Sequence, residues 1–329
     1  MAEQTITIND QKYGEFTVTS PILIELIQSP SIQRLKGISQ LGLPDRYYHV
    51  KGYSRFEHSL GVMRLLLLLG ASQEEQIAGL LHDISHTAFS HLIDWVLGNG
   101  QVEDLQDNQF SDYLKNSEIP EILVRYGFDT DQISNYDNFK LLERNTPELC
   151  ADRLDYALRQ SPKEVSDICL NAIIAQDDQI VFKNESSALF FGKQFLFLEL
   201  SQWGAFESVS RYTILSHALN HAMKNDIICF DDCWQDDEFV IKKLLASGDN
   251  QIIKCLKLLE NKNLDHCPKS DTPSFVKHRV VDPLFLSNNK IVRLSESNEN
   301  FCQKLKRAEI INKKGIYPVD IIKHLNCYE

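Results

Sequence analysis

The sequence predicts a mainly α-helical protein with a short N-terminal hairpin and a mixed α/β C-terminal portion. Three observations predict it. Apolar residues recur at helical spacing from about residue 20 to about residue 225. Ile6–Val18 alternates loosely and carries Asn9-Asp10 and Gly14 as turn signals. After about Asn261 the chain becomes richer in Pro, Asn and Ser, with Pro268, Pro273 and Pro283 as punctuation.

Taken in order, Ile22, Ile24, Leu26 and Ile27 form the first apolar stripe, and Ile32, Leu35 and Ile38 form the next. Gly42-Leu43-Pro44 closes that segment. A helix is expected from about Phe56 to Leu69, and another from about Glu74 to Ser85, where Ile77, Leu80, Leu81 and Ile84 share a face. A short helix is expected over Phe89 to Val96, ended by Gly98-Asn99-Gly100. Pro147 suits a first helical turn and is expected to open a helix over Glu148 to Gln160. Gln179–Phe182 reads as a strand. One long helical stretch is expected over about Gly192 to Lys224, then a capped helix over Glu238–Leu245 behind Asp236-Asp237. A short strand is expected at Lys290–Leu294. The domain expectation is a core over residues 1–225 and a helical or mixed appendage, 226–329, packed on it.

Composition removes several classes of function. The chain has 329 residues, with 43% hydrophobic and 24% charged, an ordinary globular mix. Its formal net charge is −12. General nucleic-acid binding is not expected, because that affinity comes from cations displacing counterions. A local basic pocket for one phosphorylated small molecule remains open. Eight cysteines include no Cys-x-x-Cys pair, which reads as reduced, buried thiols. The N-terminus shows no secretory pattern. The longest apolar stretch, Val62 to Leu69, is interrupted by Arg64 and falls short of the roughly 20 residues of a membrane span. A soluble, cytoplasmic protein with no membrane partner is expected.

The chemistry concentrates in one set of residues. Arg55-Phe56-Glu57-His58 is followed by Leu81-His82-Asp83-Ile84-Ser85-His86, by His91, and by Asp152-Arg153-Leu154-Asp155-Tyr156. Five of the ten histidines fall between His49 and His91. His82 and His86 are four apart and are expected to share a helix face, with Asp83 about 100° around it. Two imidazoles and two carboxylates from three helices suit a divalent transition metal with positions open to water and substrate. The competing reading for any single histidine is a hydrogen-bonded core residue. An adjacent His-Asp pair after Ala78-Gly79-Leu80-Leu81 resists that reading, since both side chains are costly to bury without a partner or ion.

The ordered set His58, His82-Asp83 and Asp152 resembles the signature of HD-domain metal-dependent phosphohydrolases. Gln33-Arg34-Leu35 with Gln40-Leu41-Gly42, Arg55 to Val62, and Gly79 to His91 resemble the deoxynucleoside triphosphate triphosphohydrolase-like branch. The likeness covers about residues 20–225. It implies an HD-domain helical bundle and a divalent metal held by His58, His82, Asp83 and Asp152. Mg, Mn, Fe, Co, Ni and Zn all accept such ligands. It further implies that Arg55 contacts the phosphate next to the sugar, with His86 and His91 flanking it. By the same resemblance Gln40 faces the sugar, Tyr156 stacks near it, and Arg153 reaches the outer phosphates. Members often assemble, so a homo-oligomer is also an expectation.

The chain also departs from that branch. A catalytic His-Glu pair is expected after the Phe89-Ser90-His91 segment, but the loop reads Val102-Glu103-Asp104-Leu105-Gln106-Asp107. Glu103 or Asp104 is the candidate replacement acid, against the alternative of a solvated loop. A phosphate-binding arginine expected near Trp203 is not evident. The leading expectation is hydrolysis of a nucleotide phosphate ester or anhydride, with a deoxynucleoside triphosphate losing triphosphate as the nearest precedent. The alternatives are a nucleotide monophosphatase or phosphodiesterase, and a metal- or nucleotide-binding sensor with little turnover. His217 and His221 read as packing or surface residues, and the basic run Lys304, Lys306, Arg307, Lys313 and Lys314 as a solvated face, with a minor anion-binding or self-association surface as the alternative.

Overall fold

The structure, a computed structural model, describes residues 5–326. The alternating N-terminal segment forms an antiparallel hairpin of β1 (Ile6–Asp10) and β2 (Gly14–Val18). Asp10 closes its turn by accepting from the Lys12 and Tyr13 amides at 2.7 and 3.0 Å. The hairpin docks through Asp10 Oδ2, which pairs with Arg159 at 2.8 Å.

Two helices form the spine of the site. Arg55–Leu68 starts at a capping box: Ser54 Oγ accepts from the Glu57 amide, and the Glu57 carboxylate accepts from the Ser54 amide. Gln73–Leu81 starts at Ser72, whose hydroxyl accepts from the Glu75 amide. Two glycines let helices approach the first of these closely. A Cβ on Gly79 would lie 2.3 Å from Leu66, and one on Gly61 would lie 2.0 Å from Asp155 Oδ1. The Ala151–Arg159 helix therefore crosses tightly over Gly61, which brings Asp152 and Asp155 to His58.

Four expected elements differ in extent. The helix expected to reach Ser85 ends at Leu81, and residues 82–86 turn through shorter bonds, Ile84 N to Leu81 O and His86 N to Asp83 O. The expectation that His82 and His86 share a helix face is thus corrected; a turn sets their relation. The helix expected from Phe89 begins at Leu92, because Phe89 and Ser90 adopt φ of 63° and 51°. The helix expected from Glu148 begins at Ala151, since Cys150 is extended and the Ala151 amide bonds to Leu141 O. The long stretch over Gly192 to Lys224 divides into Glu185–Leu198 and Phe206–Lys224. Between them Glu199–Trp203 widens into a π-turn, a feature frequent at functional sites.

A four-stranded sheet joins distant parts of the chain. β3 (Ile173–Gln176) and β4 (Gln179–Phe182) pair antiparallel, as do β5 (Leu284–Ser287) and β6 (Lys290–Arg293). β4 and β5 pair parallel, with Val181 opposite Leu284 and Phe182 opposite Phe285. Apolar side chains gather in two cores. One includes Leu65, Leu81, Leu154, Phe195 and Phe301; the other includes Leu92, Leu215, Ile241, Leu256 and Val319. Each draws on residues before and after position 225.

Candidate metal centre and substrate cavity

The metal-ligand candidates meet at short range. His58 Nε2 lies 2.9 Å from Asp152 Oδ1, 3.2 Å from His82 Nε2 and 3.7 Å from Asp83 Oδ2. His82 Nε2 lies 3.4 Å from Asp83 Oδ1 and 3.7 Å from Asp152 Oδ1. His58 and Asp83 are buried.

The other ring nitrogens assign the tautomers. His82 Nδ1 faces the Gly79 carbonyl at 2.8 Å, and a carbonyl only accepts, so Nδ1 is the donor. His58 Nδ1 donates in the same way to Asp155 Oδ2 at 2.6 Å. In the neutral rings both Nε2 lone pairs then face each other and two carboxylates. Such a set of acceptors requires a cation at its centre, and the donors fit a divalent metal. Without the metal the cation is a proton. Burial pulls the His58 imidazole down, but hydrogen bonds to Asp152 and Asp155 outweigh it and raise the pKa to about 9. Asp155 is in turn gripped by Tyr13 Oη at 2.6 Å and Arg159 Nε at 2.8 Å.

The quartet borders a cavity of about 670 Å³. Arg55 bonds Asp83 through Nη1 at 2.8 Å and Ser90 Oγ through Nε at 2.9 Å. The His86 and His91 rings meet edge to face, with centroids 4.8 Å apart. Burial and the Arg55 charge hold His86 well below the usual imidazole range. Burial lowers His91 to about 3, although Glu103 opposes it. Gln40 lines the cavity with a buried, unpartnered Oε1. Tyr156 stands edge-on to Trp203, with centroids 5.2 Å apart.

The remaining candidates separate. Glu103 lines the cavity, buried, with φ of 55°. Asp104, expected beside it, precedes the Leu105–Lys115 helix, half-buried and outside the cavity lining. Arg153 lines the cavity, but its guanidinium donates to Glu143, the Glu148 carbonyl and Cys150 Sγ. His221 pairs with Asp249 at 3.1 Å and His217 with Gln251 at 2.7 Å, away from the cavity lining.

Sequence reasoning missed several residues on the cavity wall. Asp107, in the first turn of the Leu105–Lys115 helix, is one. Burial raises its carboxyl, Lys277 opposes this, and Asp83 and Asp152 add to it. Lys277, His278 and Arg279 also reach the wall, from a segment read only as Pro- and Ser-rich. The cluster of two cations and one imidazole between Val276 and Val280 was the available signal.

Comparison with known proteins agrees with this geometry. Residues 55–176 match the HD domain family. The chain is 34% identical to the uncharacterized protein YdhJ of Bacillus subtilis, covering 96% of this chain and 99% of that one. It is 30% identical to the metal-dependent phosphohydrolase cns2 of Cordyceps militaris, covering 85% of each. It is 41% identical over 104 residues to the human deoxynucleoside triphosphate triphosphohydrolase SAMHD1, covering 26% of this chain and 16% of that one. The chain belongs to the HD-domain metal-dependent phosphohydrolases. It is therefore a hydrolase acting on phosphoric ester bonds, with a divalent metal as its cofactor.

Proposed function

We propose that the protein hydrolyses a phosphate ester or anhydride of a nucleotide, and that a deoxynucleoside triphosphate losing triphosphate is the reaction. The observation that carries this reading is the convergence of His58, His82, Asp83 and Asp152 beside Arg55 on a cavity large enough for a nucleotide. Those four residues would hold the metal. Bound there, a divalent ion lowers the pKa of water and polarises a phosphoryl oxygen.

The chain's own groups supply the rest. Among the described residues Arg55 Nη2 has no hydrogen-bond partner, and it is offered to a phosphate oxygen. His86 and His91 stay neutral in the free protein, so each ring can accept a proton at one nitrogen and donate from the other. The Gln40 Oε1 accepts from a sugar hydroxyl, and Tyr156 and Trp203 provide an aromatic wall for the sugar. Glu103, on the wall, belongs to the catalytic surroundings; Asp104 does not. Free thiols at all described cysteines support a reducing compartment, the cytoplasm. In this reading residues 1–225 carry the chemistry, and 226–329 pack on them as an appendage that closes the cavity wall.

One observation favours a second reading. Both terminal nitrogens of Arg153 are engaged, by Glu143, Cys150 and a carbonyl, which draws it away from the outer phosphates and suits a nucleotide monophosphatase or phosphodiesterase. The deciding experiment is a panel of nucleotides and other phosphorylated metabolites, each with Mg, Mn, Fe, Co, Ni and Zn, with the released anion identified. Triphosphate from deoxynucleoside triphosphates is expected. Orthophosphate from monophosphates alone would establish the second reading. Bound metal with no turnover of any nucleotide would overturn both and favour a sensor. Asp83→Ala is expected to abolish metal retention and turnover together, checked by metal analysis of the purified variant.

A further inference from the structure

Residues 274–282 form an irregular arm, free of helix and strand, that is fastened at several points. Ser274 and Ile316 exchange backbone hydrogen bonds at 2.7 and 2.8 Å. Asn312 donates to the Val276 carbonyl at 3.3 Å. Glu199, buried in the π-turn, accepts from the Arg279 amide at 3.0 Å and pairs with His278 Nδ1 at 3.0 Å. The Asp282 amide bonds to the Pro147 carbonyl at 2.9 Å. The arm runs beside the Trp203–Gly204 turn, where Val276 lies 3.8 Å from the position of a Gly204 Cβ.

This anchoring commits two cations to the cavity wall. Arg279 donates through Nη2 to Glu103, while Nη1 has a 3.5 Å contact to the Lys277 carbonyl and Nε has no acceptor among the described residues. Lys277 lines the same wall, and no carboxylate lies within 4 Å of its ammonium among the described residues. Arg279 holds one carboxylate, as Arg55 and Arg153 do, but among the described residues only its Nη2 has an acceptor closer than 3.5 Å, whereas Arg55 commits Nε and Nη1 and Arg153 commits both terminal nitrogens. Spare donors on the arm side of the cavity therefore belong to Lys277 and Arg279. The Glu199 contacts to His278 and Arg279 fix both at the Glu199–Trp203 turn.

We propose that Lys277 and Arg279 form an anion subsite for the outer phosphates of the substrate, with Glu103 as the positioning residue that aims the Arg279 guanidinium. The ligand class is a nucleotide with two or more phosphates, or its polyphosphate product. The proposal rests on the nucleotide reading for its substrate but not for its anion. A guanidinium and an ammonium on the cavity wall, added to Arg55, discriminate polyphosphate from orthophosphate by the number of charged donors that one anion can engage.

The test titrates the metal-loaded full-length protein with inorganic triphosphate and, separately, with orthophosphate. Lys277→Gln and Arg279→Gln are compared with wild type. Each variant is expected to weaken triphosphate about tenfold or more and orthophosphate less than twofold, as for loss of a charged hydrogen bond. Lys277 is exposed, so Lys277→Gln keeps the test decisive if Arg279→Gln does not fold. Unchanged triphosphate affinity in Lys277→Gln, or equal losses for both anions, overturns the subsite. The nucleotide panel is read in parallel. Turnover of nucleoside triphosphates with kcat/KM indifferent to Lys277→Gln overturns the subsite and leaves the nucleotide reading standing. Selective triphosphate loss without turnover of any nucleotide supports the subsite and removes the nucleotide reading.

Discussion

His58 is gripped from both sides of its ring. Nε2 faces the ligand set, and Nδ1 is fixed by Asp155, which Tyr13 and Arg159 fix in turn. A buried carboxylate behind a ligating imidazole sets the tautomer and raises its basicity. Asp155→Asn is expected to lower metal affinity about 10- to 100-fold, read by titration against a competing chelator with helicity checked by circular dichroism. Unchanged affinity would remove Asp155 from the site. The same residue carries a pH prediction. The His58 pKa is raised to about 9 from 6.5 in the metal-free fold. Protonated pairing therefore stabilises that state fully below 6.5 and is lost as pH rises through about 9. Metal competes for the same nitrogen. Between these limits, apparent affinity is expected to rise with pH, with about one proton released per ion. Calorimetry in buffers of different ionisation enthalpy measures that proton, and a pH-independent affinity would contradict the assignment.

At the scale of elements, the site depends on how closely two helices cross. Gly61 faces Asp155 and Arg159, so a methyl group there would sit 2.0 Å from Asp155 Oδ1 and 2.4 Å from Arg159 Nη2. Neither side chain can yield without losing a buried ion pair. Gly61→Ala is expected to cost about 1–3 kcal/mol, the range for overpacking, and to reduce metal affinity because Asp152 and Asp155 share the displaced helix. Urea unfolding and metal titration check both parts; an unaltered midpoint would show that the crossing has slack. Helical spacing revealed that these helices exist, and the order His58, His82-Asp83, Asp152 carried their ligands. Their ends were less legible. Leu81 ends a helix that periodicity extends to Ser85, because Ile84 is apolar at helical spacing while the side chain of Asp83 is committed to Arg55. The break at Glu199–Trp203 was hidden for a similar reason: apolar residues continue through it, and Gly204 alone does not specify a π-turn.

The molecule as a whole is tied together by contacts that have no local pattern. His278 and Arg279 meet Glu199, and Arg279 meets Glu103, across long stretches of chain, so spacing showed the basic cluster but not its partners. Arg211 shows the same principle in a buried setting. It lies on the Phe206–Lys224 helix, fully buried, and the only local hint of its role is Glu207 one turn earlier. Its guanidinium donates to the Tyr47 carbonyl at 2.8 Å, to the Leu259 and Asn261 carbonyls at 2.6 Å each, and to Glu207. Glu207 also accepts from the Leu264 amide at 3.1 Å. One side chain thus joins the loop before the catalytic spine to the helix that flanks the cavity and to the chain beyond Leu259. Removing it leaves three carbonyls short of a donor and Glu207 without its counter-charge, the situation in which a buried ion pair costs most when one partner is lost. Arg211→Met preserves length and apolar bulk, so the loss isolates the polar contacts. It is expected to destabilise the protein by about 3–5 kcal/mol in urea unfolding. Metal affinity measured under native conditions should change little, because His58, His82, Asp83 and Asp152 are held by other elements. A loss below about 1 kcal/mol, within the range of an exposed ion pair, would show that this junction does not hold the molecule together.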